Sequence, residues 1–177
     1  MSQRVDGYKG GIQAGMVATD KHAAKLDGDC KSASKLLAEE LSSRGYKCVS
    51  KLSKDFLAKH NIFVGCAPDG GAWFDKDGKL IVVFEAKKQG KGGNAIERWV
   101  KNYEVCRRIN PDVKYITFGS GEGFAKDNYC WRMAKTYIDP ARDFNVLYPT
   151  GTSWFINTKG FKYDEIVSIM RDALTTE

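Results

Sequence analysis

The apolar positions of the chain change period along its length, and each change predicts an element. Leu80, Ile81, Val82, Val83 and Phe84 form an unbroken run rich in branched and aromatic side chains. A run this short, closed by charge, predicts a strand buried on both faces. Ahead of it, Trp73 and Phe74 precede Asp75-Lys76-Asp77-Gly78, where Asp and Gly suit a tight turn. Together they predict a hairpin centred between Lys76 and Asp77. In that register Phe84 lies opposite Asp69, and a bulge or a one-residue slip makes Asp69 and Glu85 neighbours. Alternation sends Glu85 and Lys87 to one face of the strand and Ala86 to the other.

After the glycine-rich stretch 89–93 the period becomes helical. Asn94 is placed to cap a helix reaching about Ile109, with Ile96, Trp99, Val100, Tyr103 and Cys106 (or Arg107) on its apolar face and Asn110-Pro111 as its stop. Upstream, Ala33, Leu36, Leu37 and Leu41 predict a helix over 30–44, capped by Asp29 and ended by Gly45. A short strand over 46–52, a helical turn over 54–59 capped by Ser53, and residues 62–64 lead into the hairpin. Downstream, 113–118 reads as a strand whose short return from the helix suggests a parallel neighbour. A helix over 125–137, strands at 144–148 and 154–156, and an amphipathic helix over 163–174 through Ile166, Ile169, Met170 and Leu174 complete the pattern. The sum is an α/β fold, a central mixed β-sheet flanked by helices. Residues 1–177 form one domain, with the polar, glycine-rich 1–15 as a loose arm or a DNA contact.

Composition narrows the partners. Lys and Arg number 28 against 22 Asp and Glu, so a net charge of +6 fits a polyanion or plain solubility. Five scattered cysteines with no C-x-x-C read as reduced thiols of a cytoplasmic protein. Two histidines supply histidine-based zinc or nucleophile chemistry poorly, and no apolar run reaches membrane length.

The chemistry gathers at the charged end of the central strand. Asp69 and Glu85 offer oxygen ligands to a hard cation such as Mg²⁺, and Lys87 stands beside them to orient or deprotonate a water. A hairpin end with solvated charges is the plainer account, since E-x-K alone is a weak signal. Asn94 and Arg98 are side-chain types suited to purine edges, at a helix start suited to phosphate. An ordinary capped helix with Glu97 and Arg98 solvated is the plainer account there. Glu40, beside the stripe of the early helix, is a possible additional acidic ligand, with a surface salt bridge the more ordinary role. Arg132 and Lys135 are available to phosphates or to solvent.

Three motifs in this order carry a resemblance: Pro68-Asp69-Gly70-Gly71, Glu85-Ala86-Lys87-Lys88-Gln89-Gly90-Lys91, and Gly93-Asn94-Ala95-Ile96-Glu97-Arg98. They resemble the EcoRI- and MunI-like type II restriction endonucleases, within the PD-(D/E)xK nuclease superfamily. The close likeness covers about forty residues. A looser one continues through 114–118, Gly121-Glu122-Gly123-Phe124 and Asp127 to Arg132. The resemblance implies a restriction-endonuclease-like fold and a homodimer that binds double-stranded DNA at a short palindrome containing AATT. It also implies Mg²⁺-dependent cleavage to 5′-phosphate ends. Asp69 and Glu85 would hold the metal and Lys87 would position the attacking water. Gln89, Lys91, Asn94, Ala95 and Arg98 would contact DNA, and Glu97 would orient Arg98. Only Lys91 and Gly92 separate the second and third motifs, so the DNA-embracing inner arm found there in EcoRI is absent. Two other readings stay open: a nuclease of the same superfamily directed by DNA structure or damage, and a DNA-binding module without catalysis.

Overall fold

The computed structural model describes residues 25–88, 95–120, 153–157 and 161–176. A five-stranded mixed sheet, in order β1-β2-β3-β4-β5, divides the molecule. Its strands are β1 (Lys47–Val49), β2 (Ala72–Phe74), β3 (Leu80–Lys88), β4 (Lys114–Ser120) and β5 (Ser153–Asn157). The helices are α1 (25–41, continued by a 3-10 turn at Ser42–Arg44), α2 (Lys54–Ala58), α3 (Ala95–Ile109) and α4 (Tyr163–Thr175). The β1-β2 and β2-β3 pairs are antiparallel, while β3-β4 and β4-β5 are parallel. An α/β fold with a mixed sheet and flanking helices is therefore what the chain forms.

Both faces of β3 are covered, as its continuous apolar run requires. Val82, Phe84 and Ala86 pack with Ile116, Phe118 and Trp73 against α1 and α4, through Leu26, Cys30, Ala33, Leu37, Leu41, Ile166, Met170 and Leu174. Leu80 and Val83 pack on the other side with Tyr115, Trp99, Tyr103, Cys106 and Cys66. The aromatic rings of Trp99 and Tyr103 stack at 5.4 Å, and Tyr115 meets Tyr103 edge-on.

Several expectations shift. Helix α1 is already helical at residue 25 and passes through Asp29, so Asp29 is not its cap; Asp29 pairs with Lys25 across one turn at 3.4 Å. The buried stripe runs Leu26, Cys30, Ala33, Leu37 and Leu41, an unbroken helical spacing that begins a turn earlier than expected and leaves Leu36 44% exposed. Strand β1 is shorter than expected because β2 offers it only three partners. Strand β3 runs four residues past Phe84 because β4 pairs with it as far as Lys88↔Ser120. The hairpin register also differs. Ala72 faces Val83 and Trp73 faces Val82, but Phe74 faces Leu80, which leaves Ile81 as a bulge. Continued from Trp73 toward the site, that register sets Asp69 alongside Ala86 instead of Phe84.

Helix α2 starts at its expected cap, where Ser53 accepts from the Phe56 N–H at 3.2 Å. The expected arm at 1–15, the helix at 125–137 with Arg132 and Lys135, and the strand at 144–148 lie outside the described residues, as do Gln89, Lys91 and Asn94.

Candidate active site

Asp69 reaches β3 because two glycines let its chain come close. The Gly70 N–H donates to the Phe84 carbonyl at 2.9 Å, and the Phe84 N–H donates back to the Gly71 carbonyl. A Cβ on Gly70 would stand 2.5 Å from the Phe84 Cβ, so only glycine permits this approach. Gly71 has φ +85° and packs against Cys48 with equally little room. Trp73 fastens the turn by donating its indole N–H to the Gly70 carbonyl at 3.1 Å. Asp69 is thereby held beside Ala86, whose backbone N–H donates to its carboxylate.

Glu85 and Lys87 alternate onto the α3 face of the sheet, where Lys87 Nζ sits 2.9 Å from Glu85 Oε1. The Glu85 side chain is 1% exposed and that of Lys87 16%. A buried carboxylate needs partners, and Glu85 has three. Beyond Lys87, the Tyr115 hydroxyl donates to Oε2. The Asn102 amide donates to Oε2 at 3.1 Å and more loosely to Oε1 at 3.4 Å. Burial and the charge of Glu85 keep the Tyr115 phenol far above its ordinary range, so it stays a donor.

Negative charge accumulates here. Burial, then the charges of Asp27 and Glu85, raise the Asp69 carboxyl to about 6 against the pull of Lys87 and the Ala86 N–H. Asp27, in the first described turn of α1, is itself raised by burial; Lys31 and Lys87 oppose that and Glu85 adds to it. Cys30, one turn on, is pushed up by burial and then by Asp69 and Asp27. Three carboxylates and one lysine thus share one end of the sheet, an arrangement that a cation would relieve. Among the described residues no three His, Cys, Asp or Glu side chains are set to cage an ion. Asp69 lies opposite Ala86, which packs toward α1 and α4, whereas Glu85 and Lys87 face α3, so what links the two carboxylates here is their mutual charge. A carboxylate pair is the donor chemistry that would suit Mg²⁺, with water and phosphate in the remaining positions.

Glu40 is not part of this group. It pairs with Arg171 of α4 at 3.1 Å on an exposed surface. Thirteen residues of helix separate it from Asp27, about 20 Å at 1.5 Å per residue. The acidic residue that α1 brings to the site is Asp27, which lies ahead of the helix start expected at residue 30. Asn102 was missed as well. Its signal was a polar residue three positions after Trp99, on the apolar stripe. Tyr115, inside the strand expected over 113–118 and given no role there, is the third.

Of the expected DNA-contacting residues, Ala95, Glu97 and Arg98 all fall on α3, and Arg98 is exposed. Exposed Lys101, Arg107 and Arg108 follow along the helix. Lys101 donates to the Gly65 carbonyl at 2.8 Å, which ties α3 to the loop that leads into Pro68-Asp69. The four described cysteines are free, and Cys66 and Cys106 approach only to 3.9 Å. Among the described residues no helix is long and apolar enough to cross a membrane.

No protein-family model matches the chain, and no curated protein matches it.

Proposed function

We propose that the protein is a Mg²⁺-dependent type II restriction endonuclease with a restriction-endonuclease-like core. It acts as a homodimer on a short DNA palindrome containing AATT and leaves 5′-phosphate ends. What supports this reading is the electrostatic influence of Glu85 and Lys87 on Asp69 near the end of β3, ahead of the helix that bears Ala95, Glu97 and Arg98. Asp69 and Glu85 are the metal-binding pair. The cation, when bound, would polarise the scissile phosphate and lower the pKa of the attacking water. Lys87 orients that water and takes or shares its proton. Asp27 deepens the negative potential that draws a divalent cation. Asn94, Ala95 and Arg98 read bases, Gln89 and Lys91 support the DNA, and Glu97 orients Arg98. The excess of 28 basic over 22 acidic residues suits a phosphate backbone.

The test is digestion of a sequenced plasmid with Mg²⁺ and sequencing of the fragment ends. Discrete ends at an AATT-centred palindrome are expected. A ladder would favour a structure- or damage-directed nuclease, and no cleavage with Mg²⁺ or Mn²⁺ would favour a binding module. Asp69→Ala and Glu85→Ala should abolish cleavage while retaining DNA binding; wild-type activity in either variant removes this site. Arg98→Ala should weaken binding to the preferred site by roughly 1–3 kcal/mol per lost base contact. An unchanged preference over a mismatched site would take Arg98 out of base reading.

A further inference from the structure

Asn102 stands out among the buried polar groups. Its residue is 6% exposed, its amide nitrogen donates to both oxygens of Glu85, and its own Oδ1 has no partner among the described residues. A buried amide with one end unpaired is a poor choice for stability, since the orphaned carbonyl loses its water without replacement. A leucine of similar size, on the side of α3 that carries Trp99 and Cys106, would avoid that loss. What leucine lacks is the N–H that points at the carboxylate.

The position of Asn102 matters as much as its bond. It lies four residues after Arg98, one turn further along α3, and residues at that spacing sit on the same side of a helix. Tyr115 grips the same carboxylate from β4, next to β3 in the sheet. Glu85 is therefore clamped between a fixed strand and the helix whose first turn bears the proposed base-reading residues. The oxygen nearest Lys87 is the one that Asn102 touches only loosely.

We propose that Asn102 and Tyr115 are positioning residues: they fix the orientation of the Glu85 carboxylate, and Asn102 makes cation binding at Glu85 respond to the docking of α3 on its cognate DNA. The proposal rests on the nuclease reading above. A shift or rotation of α3 on matched DNA moves the Asn102 amide against Glu85, while Tyr115 holds the other side. Recognition at Arg98 and metal capture at Glu85 then share one helical turn. Outer-shell partners of this kind tune affinity by holding a ligand in one rotamer.

The test measures Mn²⁺ binding directly, by calorimetry and by the electron paramagnetic resonance of free Mn²⁺. The protein is used alone and with two sets of short duplexes, one centred on AATT with each possible flanking pair and one scrambled. Wild type should bind Mn²⁺ more tightly with one AATT duplex than with scrambled DNA. Asn102→Leu should weaken Mn²⁺ binding about 10-fold or more and erase the difference between duplexes. Its affinity for the AATT duplex in EDTA should stay near wild type. Tyr115→Phe removes one oxygen from the same clamp, and it should weaken Mn²⁺ binding while preserving the duplex difference. It also serves as the second probe if Asn102→Leu fails to fold, which near-UV circular dichroism reports. Wild-type Mn²⁺ affinity in either folded variant overturns the proposal. Loss of the duplex difference in Tyr115→Phe overturns the assignment of coupling to Asn102. If Glu85→Gln binds Mn²⁺ as wild type does, the underlying metal site fails instead, and the two failures are distinct.

Discussion

Asp69 is the residue at which burial and neighbouring charge impose a clear electrostatic penalty. Its carboxyl sits at about 6 through burial, then through Asp27 and Glu85, against roughly 3.9 for an unfolded aspartate. Between those two values the folded chain holds this proton more tightly than the unfolded chain does. Stability from this group is therefore lost as pH rises from about 4 to about 6 and stays lost above. Metal-free Asp69→Asn should melt at a higher temperature than wild type at pH 7.5, and the gain should vanish near pH 4. Mg²⁺ should raise the wild-type melting temperature at pH 7.5 but not that of Asp69→Asn. Scanning calorimetry at the two pH values decides it: an equal gain at both would assign the effect to packing. The sequence made Asp69, Glu85 and Lys87 legible because strand alternation and an apolar run with a charged end are local signals. Asp27 and Asn102 were not legible in the same way. Their roles depend on which helix face meets the sheet end, and that is decided by residues far away in the chain.

At the level of elements, the hairpin shows how correctly located turn residues can still give the wrong neighbours. Asp75 accepts from the Asp77 and Lys79 N–H groups at 2.9 Å, as turn chemistry predicts. The turn itself centres on Asp77, which sets Phe74 opposite Leu80 and shifts the register by one place, and the bulge at Ile81 moves every later pair by one more. Side-chain packing sets that bulge, with Trp73 and Val82 buried on one side and Leu80 on the other, so the turn residues alone could not reveal it. The close approach at Gly70 is the structural consequence that matters for the site. Gly70→Ala would press a methyl group onto Phe84, which is fully buried and stacked on Phe118. Strand β2 must retreat, at about 1–3 kcal/mol, and Asp69 moves with it. Urea unfolding should show that loss, and Mg²⁺-dependent cleavage should fall even at temperatures where the variant is folded. Full activity in a destabilised Gly70→Ala would show that the spacing of Asp69 from β3 is not critical.

Across the whole molecule, α1 links two regions with different demands. Its first described turn lies beside the carboxylates, while its last turns meet α4 through Leu37, Leu41 and the Glu40–Arg171 pair. Both partners of that pair are more than 40% exposed at the side chain, so solvent screens it and its contribution is small. Glu40→Gln should change stability by less than about 1 kcal/mol and leave the metal dependence of cleavage as in wild type. Asp27→Asn should do the reverse. With one of the three crowded carboxylates neutral, burial costs less and the metal-free fold gains stability. The cation meanwhile loses a source of attraction, and the Mg²⁺ concentration for half-maximal cleavage should rise, by up to about tenfold if Asp27 acts as an outer-shell partner. The two variants each remove one negative charge from the same helix, so the change in net charge, and with it the general attraction to DNA, is identical. A matching shift in Mg²⁺ dependence for both would mean that overall charge sets metal affinity. A shift for Asp27→Asn alone would place the effect at the end of the sheet, where α1, β3 and the turn at Asp69 converge.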